Sequence, residues 1–149
     1  MIQRIVYSSV AGSTQAAPAT VLTQFGPCLD VVIMPPRIIR DRLEKQNLPY
    51  PTSRVRALID TGASSSVIHP AIAAELNLTH TGYQKITSVQ DQQDQPVYFG
   101  AILFSWGHAA EVPLIACPLT HVRCLIGRDI LSRWYVTYDG VGGTIVICD

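Results

Sequence analysis

The stretch Arg56-Ala57-Leu58-Ile59-Asp60-Thr61-Gly62-Ala63-Ser64 decides how the rest of the chain is read. An apolar run ends on a carboxylate, followed by a small hydroxyl residue and a glycine. A strand that buries Ala57, Leu58 and Ile59 presents Asp60 at its end, against an apolar wall that holds back bulk water. An acid/base catalyst needs such a setting. Gly62 has no Cβ, so another backbone or a substrate can come close, and the Thr61 hydroxyl can both donate and accept. Asp, Thr and Gly are also common at plain strand-to-turn junctions. On the tripeptide alone the plain turn is the better reading.

A second segment tips the balance. In Cys124-Leu125-Ile126-Gly127-Arg128-Asp129-Ile130-Leu131 another apolar strand runs into a glycine, a charged pair and a short apolar turn. Asp60-Thr61-Gly62-Ala63 and Leu125 to Leu131, in this order, together resemble the two motifs of the retropepsins, the retroviral-type aspartic proteases. The resemblance runs from about Phe25 to the C-terminus. It implies an all-β fold, a retropepsin-like closed β-barrel with one or two short helices, one lobe per chain, active as a homodimer. It divides the chain into residues 1–24, a flexible leader or an added edge strand, and residues 25–149, the protease domain.

The resemblance also implies roles. Asp60 is the catalytic acid/base, hydrolysing peptide bonds of a peptide or protein substrate. Thr61 hydrogen-bonds across to the other subunit and, with Gly62, supports the dyad. Gly62, Ala63 and Ser64, with Ser88, Val89 and Gln90 on a flap, contact substrate. Ile126, Gly127, Arg128 and Asp129 buttress the acid. The viral motif often carries Asp after the Ala, paired with the buttress arginine, but this chain has Ser64. Arg128 must then find Asp129, Asp139 or backbone carbonyls instead.

The chemistry asks for a second acid. Two carboxyls about 3 Å apart share one proton and titrate as a pair. The ionised member draws a proton from water, and the protonated member donates to the developing oxyanion. Asp30, Asp41, Asp91, Asp94, Asp129, Asp139 and Asp149 are not followed by Thr-Gly or Ser-Gly. The partner acid must come from a second copy, with Asp60 of each on a twofold axis. Activated water is the nucleophile, so no cofactor or metal is required. A non-catalytic dimeric β-barrel scaffold that kept the fold is the alternative. A narrow enzyme acting on one partner, or on its own leader near Ala16-Ala17-Pro18-Ala19, is a further one.

Composition sets bounds on this. With 149 residues, 48% of them apolar, the chain is long enough for one domain with a real core. Eleven basic residues balance eleven acidic ones, which argues against a nucleic-acid surface. No apolar run approaches the roughly 18 residues of a membrane span, and residues 1–20 lack the basic region and sustained apolar core of a signal peptide. Cys28, Cys117, Cys124 and Cys148 form no Cys-x-x-Cys pair and read as buried thiols in a reducing, cytoplasmic compartment. Cys117, His121 and Cys124 could reach a zinc ion but lack a fourth ligand. Ser64, Ser65 and Ser66 beside His69 suggest a serine nucleophile only superficially, since no Gly-x-Ser-x-Gly elbow exists. Helix capping explains the serines better.

Along the chain, Cys28–Met34 is a strand stopped by Pro35-Pro36, and Ile38–Asn47 a short surface helix or a long excursion. Ser53–Ile59 is the strand delivering Asp60. Pro70–Leu78 is a helix with Ile72 and Leu76 on one face, a feature closer to cellular and bacterial retropepsins than to the compact viral ones. Lys85–Val89 and Val97–Phe104 are arms of a hairpin whose polar tip, Gln90–Pro96, falls at the flap position. Glu111–Cys117, Trp134–Tyr138 and Thr144–Cys148 are further strands. Ile145-Val146-Ile147 suits either an interchain sheet or an intramolecular edge strand. Trp106 and Trp134 are core or interface anchors, and His80, His108 and His121 surface or loop residues.

Overall fold

A computed structural model describes residues 2–6, 17–87 and 92–148. The elements in chain order are β1 (Ile2–Val6), α1 (Pro18–Phe25), β2 (Cys28–Met34), α2 (Arg37–Lys45), β3 (Ser53–Ile59), β4 (Val67–Ile68) and α3 (Pro70–Glu75). They continue with β5 (Thr79–Thr87), β6 (Gln92–Phe104), β7 (Ala109–Ala116), β8 (Cys124–Ile126), α4 (Arg128–Leu131), β9 (Tyr135–Asp139) and β10 (Thr144–Cys148). The described residues are mostly β, with four short helices. No helix among the described residues is long and apolar enough to cross a membrane.

The barrel closes. Strands run in the order β2-β3-β8-β4-β7-β6, and β6 returns to β2 from Val31↔Phe104 to Met34↔Ala101. Closure removes the exposed edges that an open sheet would present. Alternation along each strand sorts the faces: β3 buries Val55, Ala57 and Ile59 while Arg54 and Arg56 face solvent. β7 likewise buries Ala110, Val112 and Leu114. Ile33, Ile68, Ile102, Phe104 and Ile126 fill the interior beside them.

Two features of this topology position the site. β8 lies between β3 and β4, parallel to the first and antiparallel to the second. The loop joining β3 to β4, residues 60–66, therefore crosses the end of β8 where α4 begins. Beyond the barrel, β6 pairs with β5 from Thr79↔Phe99 to Thr87↔Gln92, so a two-stranded hairpin projects from the wall.

Residues 1–24, read as a flexible leader or an added edge strand, hold β1, an outer strand of the β1-β10-β9 sheet, and nearly all of α1, which ends at Phe25. Leu22 of α1 is buried in the core. The start of α1 packs onto Gly143, where a Cβ would meet the Pro18 carbonyl carbon at 2.2 Å. Other expectations are corrected. β10 is not an edge strand, between chains or within one: β1 and β9 cover both its edges in a three-stranded sheet. Ile145 and Ile147 are buried and need those neighbours. β5 begins at Thr79 rather than Lys85 because pairing with β6, not apolar alternation, defines it. α2 is the surface helix and buries none of its residues; it is tied down by Arg40 and the Arg37 N–H, both on Glu111. His108 lies in the loop between β6 and β7, as read. It is half-buried against Phe104 and Trp134, which with Trp106 form one aromatic cluster.

At Gly127 a Cβ would lie 2.5 Å from the Ser65 carbonyl carbon and 2.6 Å from its oxygen. Backbone cannot give way as a side-chain tip can. Gly127→Ala is expected to lower unfolding stability by at least about 2 kcal/mol, read from urea denaturation.

Candidate active site

β3 carries its buried Ala57 and Ile59 to the end of the barrel and releases the chain at Asp60. The Asp60 N–H donates to Ile126 O at 3.0 Å, which extends the β3–β8 pairing by one step. The chain then turns, with the Ala63 N–H on Asp60 O at 3.2 Å. The Gly62 N–H donates to Asp60 Oδ1 at 2.8 Å, fixing the carboxylate's orientation. A Cβ on Gly62 would stand 3.1 Å from that same oxygen. Asp60 is half-buried, while Thr61, Gly62 and Ser64 are exposed. The loop thus presents its carboxylate at an open face of the single chain.

The second motif grips this loop from below. The Arg128 N–H donates to Ala63 O at 2.9 Å. Arg128 Nη1 donates to Thr61 O at 2.7 Å and to Gly62 O at 3.1 Å. With Ser at position 64, Arg128 takes backbone carbonyls; Asp139 instead accepts from the Gly142 N–H. Asp60, Thr61, Gly62, Ala63, Ile126, Gly127, Arg128 and Asp129 therefore form one cluster, with Ser64 at its rim. Ser88, Val89 and Gln90 lie outside the described residues. The hairpin arms reach the cluster's flank: Ile86 and Val97 pack with Val67, Ile115 and Leu125 in a small apolar group separate from the main core.

Ser66 has a role that the sequence does not suggest. It caps no helix; His69 Nδ1 caps α3 by accepting from the Ala71 N–H. Ser66 is fully buried and bonded to Asp129 and Gly127. The one signal in the sequence is its place before Val67-Ile68, a strand that buries whatever precedes it. Ser66 and His69 are thus committed to other partners and do not form a nucleophile–base pair with each other.

Among the described residues no group of three or more His, Cys, Asp or Glu side chains could hold a metal ion. Burial pushes the Cys124 thiol far up, with the Asp129 charge adding to it. Burial also raises Cys28, against a smaller lowering by Arg56.

Residues 52–133, more than half of the chain, match the family model described as "gag-polyprotein putative aspartyl protease". The chain belongs to that family. The fold agrees. A retropepsin-like aspartic protease from Rickettsia conorii superposes with a TM-score of 0.55 at 10% identity, covering 99% of this chain and 91% of that one. The EIAV protease, in complex with an inhibitor, superposes with a TM-score of 0.52 at 20% identity, covering 72% of this chain and 86% of that one. At these identities the likeness speaks for the fold. No curated protein matches the chain.

This family member's four cysteines are all free thiols, Cys28 and Cys124 buried, Cys117 and Cys148 half-exposed. Iodoacetamide at neutral pH is expected to label Cys117 and Cys148 and to spare Cys28 and Cys124 until the protein is unfolded. Peptide mass spectrometry reads the difference.

Proposed function

We propose that the chain is an aspartic endopeptidase that works as a homodimer, with water activated between two Asp60 carboxylates, one from each copy. The observation that carries this is the Asp60 carboxylate, oriented by the Gly62 N–H at an open face, on a turn whose carbonyls Arg128 holds from behind. A half-buried acid on a rigid, exposed turn is half of a catalytic pair. A second copy across a twofold axis supplies the other half and closes the site to bulk water.

Asp60 of one copy then holds the shared proton while Asp60 of the other is ionised. The ionised carboxylate takes a proton from the water, whose oxygen attacks the peptide carbonyl carbon. The protonated carboxyl donates to the carbonyl oxygen, and transfer of a proton to the nitrogen releases the amine. Thr61 hydroxyls bond across the axis and, with Gly62, keep the two turns in register. The backbone at Gly62, Ala63 and Ser64 lines the substrate strand, and Ser88, Val89 and Gln90 are assigned to the same substrate. Ile126, Gly127, Arg128 and Asp129 hold the turn but do not touch substrate. Free thiols suit a reducing compartment, and we place the protein in the cytoplasm.

The test is cleavage of a diverse peptide pool, read by mass spectrometry from about pH 3.5 to 7. A shared-proton pair predicts a bell-shaped rate in acid. Asp60→Asn is expected to lower kcat/KM by at least about 10³-fold, because the proton transfers on both sides of the pair are lost. Cleavage that survives Asp60→Asn overturns the proposal. A folded, dimeric wild-type protein without any Asp60-dependent cut supports a scaffold that kept the fold.

A further inference from the structure

We propose that Ser66 is a positioning residue for Asp60, acting through Asp129 and Gly127 as a buried staple between the catalytic turn and the start of α4. The inference rests on the aspartic-protease reading and adds to it a residue outside both motifs.

Ser66 has no exposed surface. Its Oγ donates to Asp129 Oδ1 at 2.8 Å and accepts from the Gly127 N–H at 3.0 Å. Its own N–H donates to Asp129 Oδ2 at 2.9 Å, so one residue engages both oxygens of the carboxylate. Asp129 Oδ1 also accepts from the Ile130 N–H at 2.9 Å, which ties the carboxylate to its own helix. Ser66 O accepts from the Ile115 N–H at 3.1 Å, anchoring the staple to β7. Every polar atom of Ser66 is used.

The geometry passes from Ser66 to the acid in two steps. Ser66 fixes Gly127 and Asp129, the residues on either side of Arg128. Arg128 in turn holds Ala63 O through its N–H, and Thr61 O and Gly62 O through its guanidinium. The carbonyls of the whole turn after Asp60 therefore hang from one residue whose position Ser66 sets. A hydroxyl is needed at position 66 because the group must donate to a carboxylate and accept from an amide at once. Alanine does neither.

A loosened staple displaces the turn without removing any group that meets substrate. Small misplacements of a catalytic group cost rate far more than binding.

The test compares Ser66→Ala, Asp129→Ala and the double variant in the full chain, each first shown to be folded by circular dichroism and thermal melting. Amide hydrogen exchange by NMR is expected to speed up at Gly62 and Ala63 in each variant, with barrel amides such as Val31 and Ile102 unchanged. On a peptide cut in an Asp60-dependent way, kcat is expected to fall at least about tenfold with KM within about twofold. The double variant is expected to be no worse than the more affected single one, since both break one link. If Ser66→Ala does not fold, Ser66→Cys keeps the size but donates only weakly, and the same pattern is expected of it. Folded variants with wild-type Gly62 exchange, or with raised KM and unchanged kcat, overturn the proposal, as does strict additivity. A wild type that cuts nothing defeats the protease reading alone, because the exchange measurement tests the staple without activity.

Discussion

The structure depends on how closely the chain after β8 can approach the loop after β3. The Asp60 N–H sits on Ile126 O, and the next residue, Gly127, lies against the Ser65 backbone, where a side chain would collide at 2.5 Å. This contact lets Arg128 reach up to Thr61 O and Gly62 O and lets Asp129 reach across to Ser66. Widen it by one methyl group and the carboxylate turn loses its support. The closed barrel serves that contact by fixing β3, β8 and β4 side by side.

Site and fold therefore share one set of interactions. β3 is buried by Val55, Ala57 and Ile59, and the same burial aims Asp60. The main core lies behind the loop. The smaller apolar group of Val67, Val97 and Ile115 ties the hairpin arms to the strands on the other side. The open face at Thr61 and Gly62 gives a second copy room to sit.

Much of this is legible in the chain, for physical reasons that differ by element. β2, β3 and β10 keep the bounds read from sequence because each is an apolar run stopped by prolines, by a carboxylate or by a turn. The Asp60 turn and the segment that holds it are legible as a pair of motifs. α1 is not, since its Ala-Pro-Ala-Thr opening looks like a linker and its burial rests on Leu22 and on contact with Gly143. β5 reads too short because its outward face is polar, and only its partner β6 makes it a strand. β10 reads as an edge because nothing local says that β1 returns to cover it. Ser66 carries no strong local signal: its importance comes from Asp129, remote in sequence and adjacent in space. The proposed partner acid is legible only by elimination, since no other Asp of the chain is followed by Thr-Gly or Ser-Gly.

The central claim is that two chains build one site. Mixing tests it directly: wild-type protein at fixed concentration is equilibrated with increasing Asp60→Asn protein, and peptide cleavage is followed. If each site needs Asp60 from both chains, the variant captures wild-type chains in inactive pairs, and the rate falls toward zero as the variant comes into excess. If a single chain carries the chemistry, added variant leaves the rate unchanged, and a site shared between two chains is contradicted.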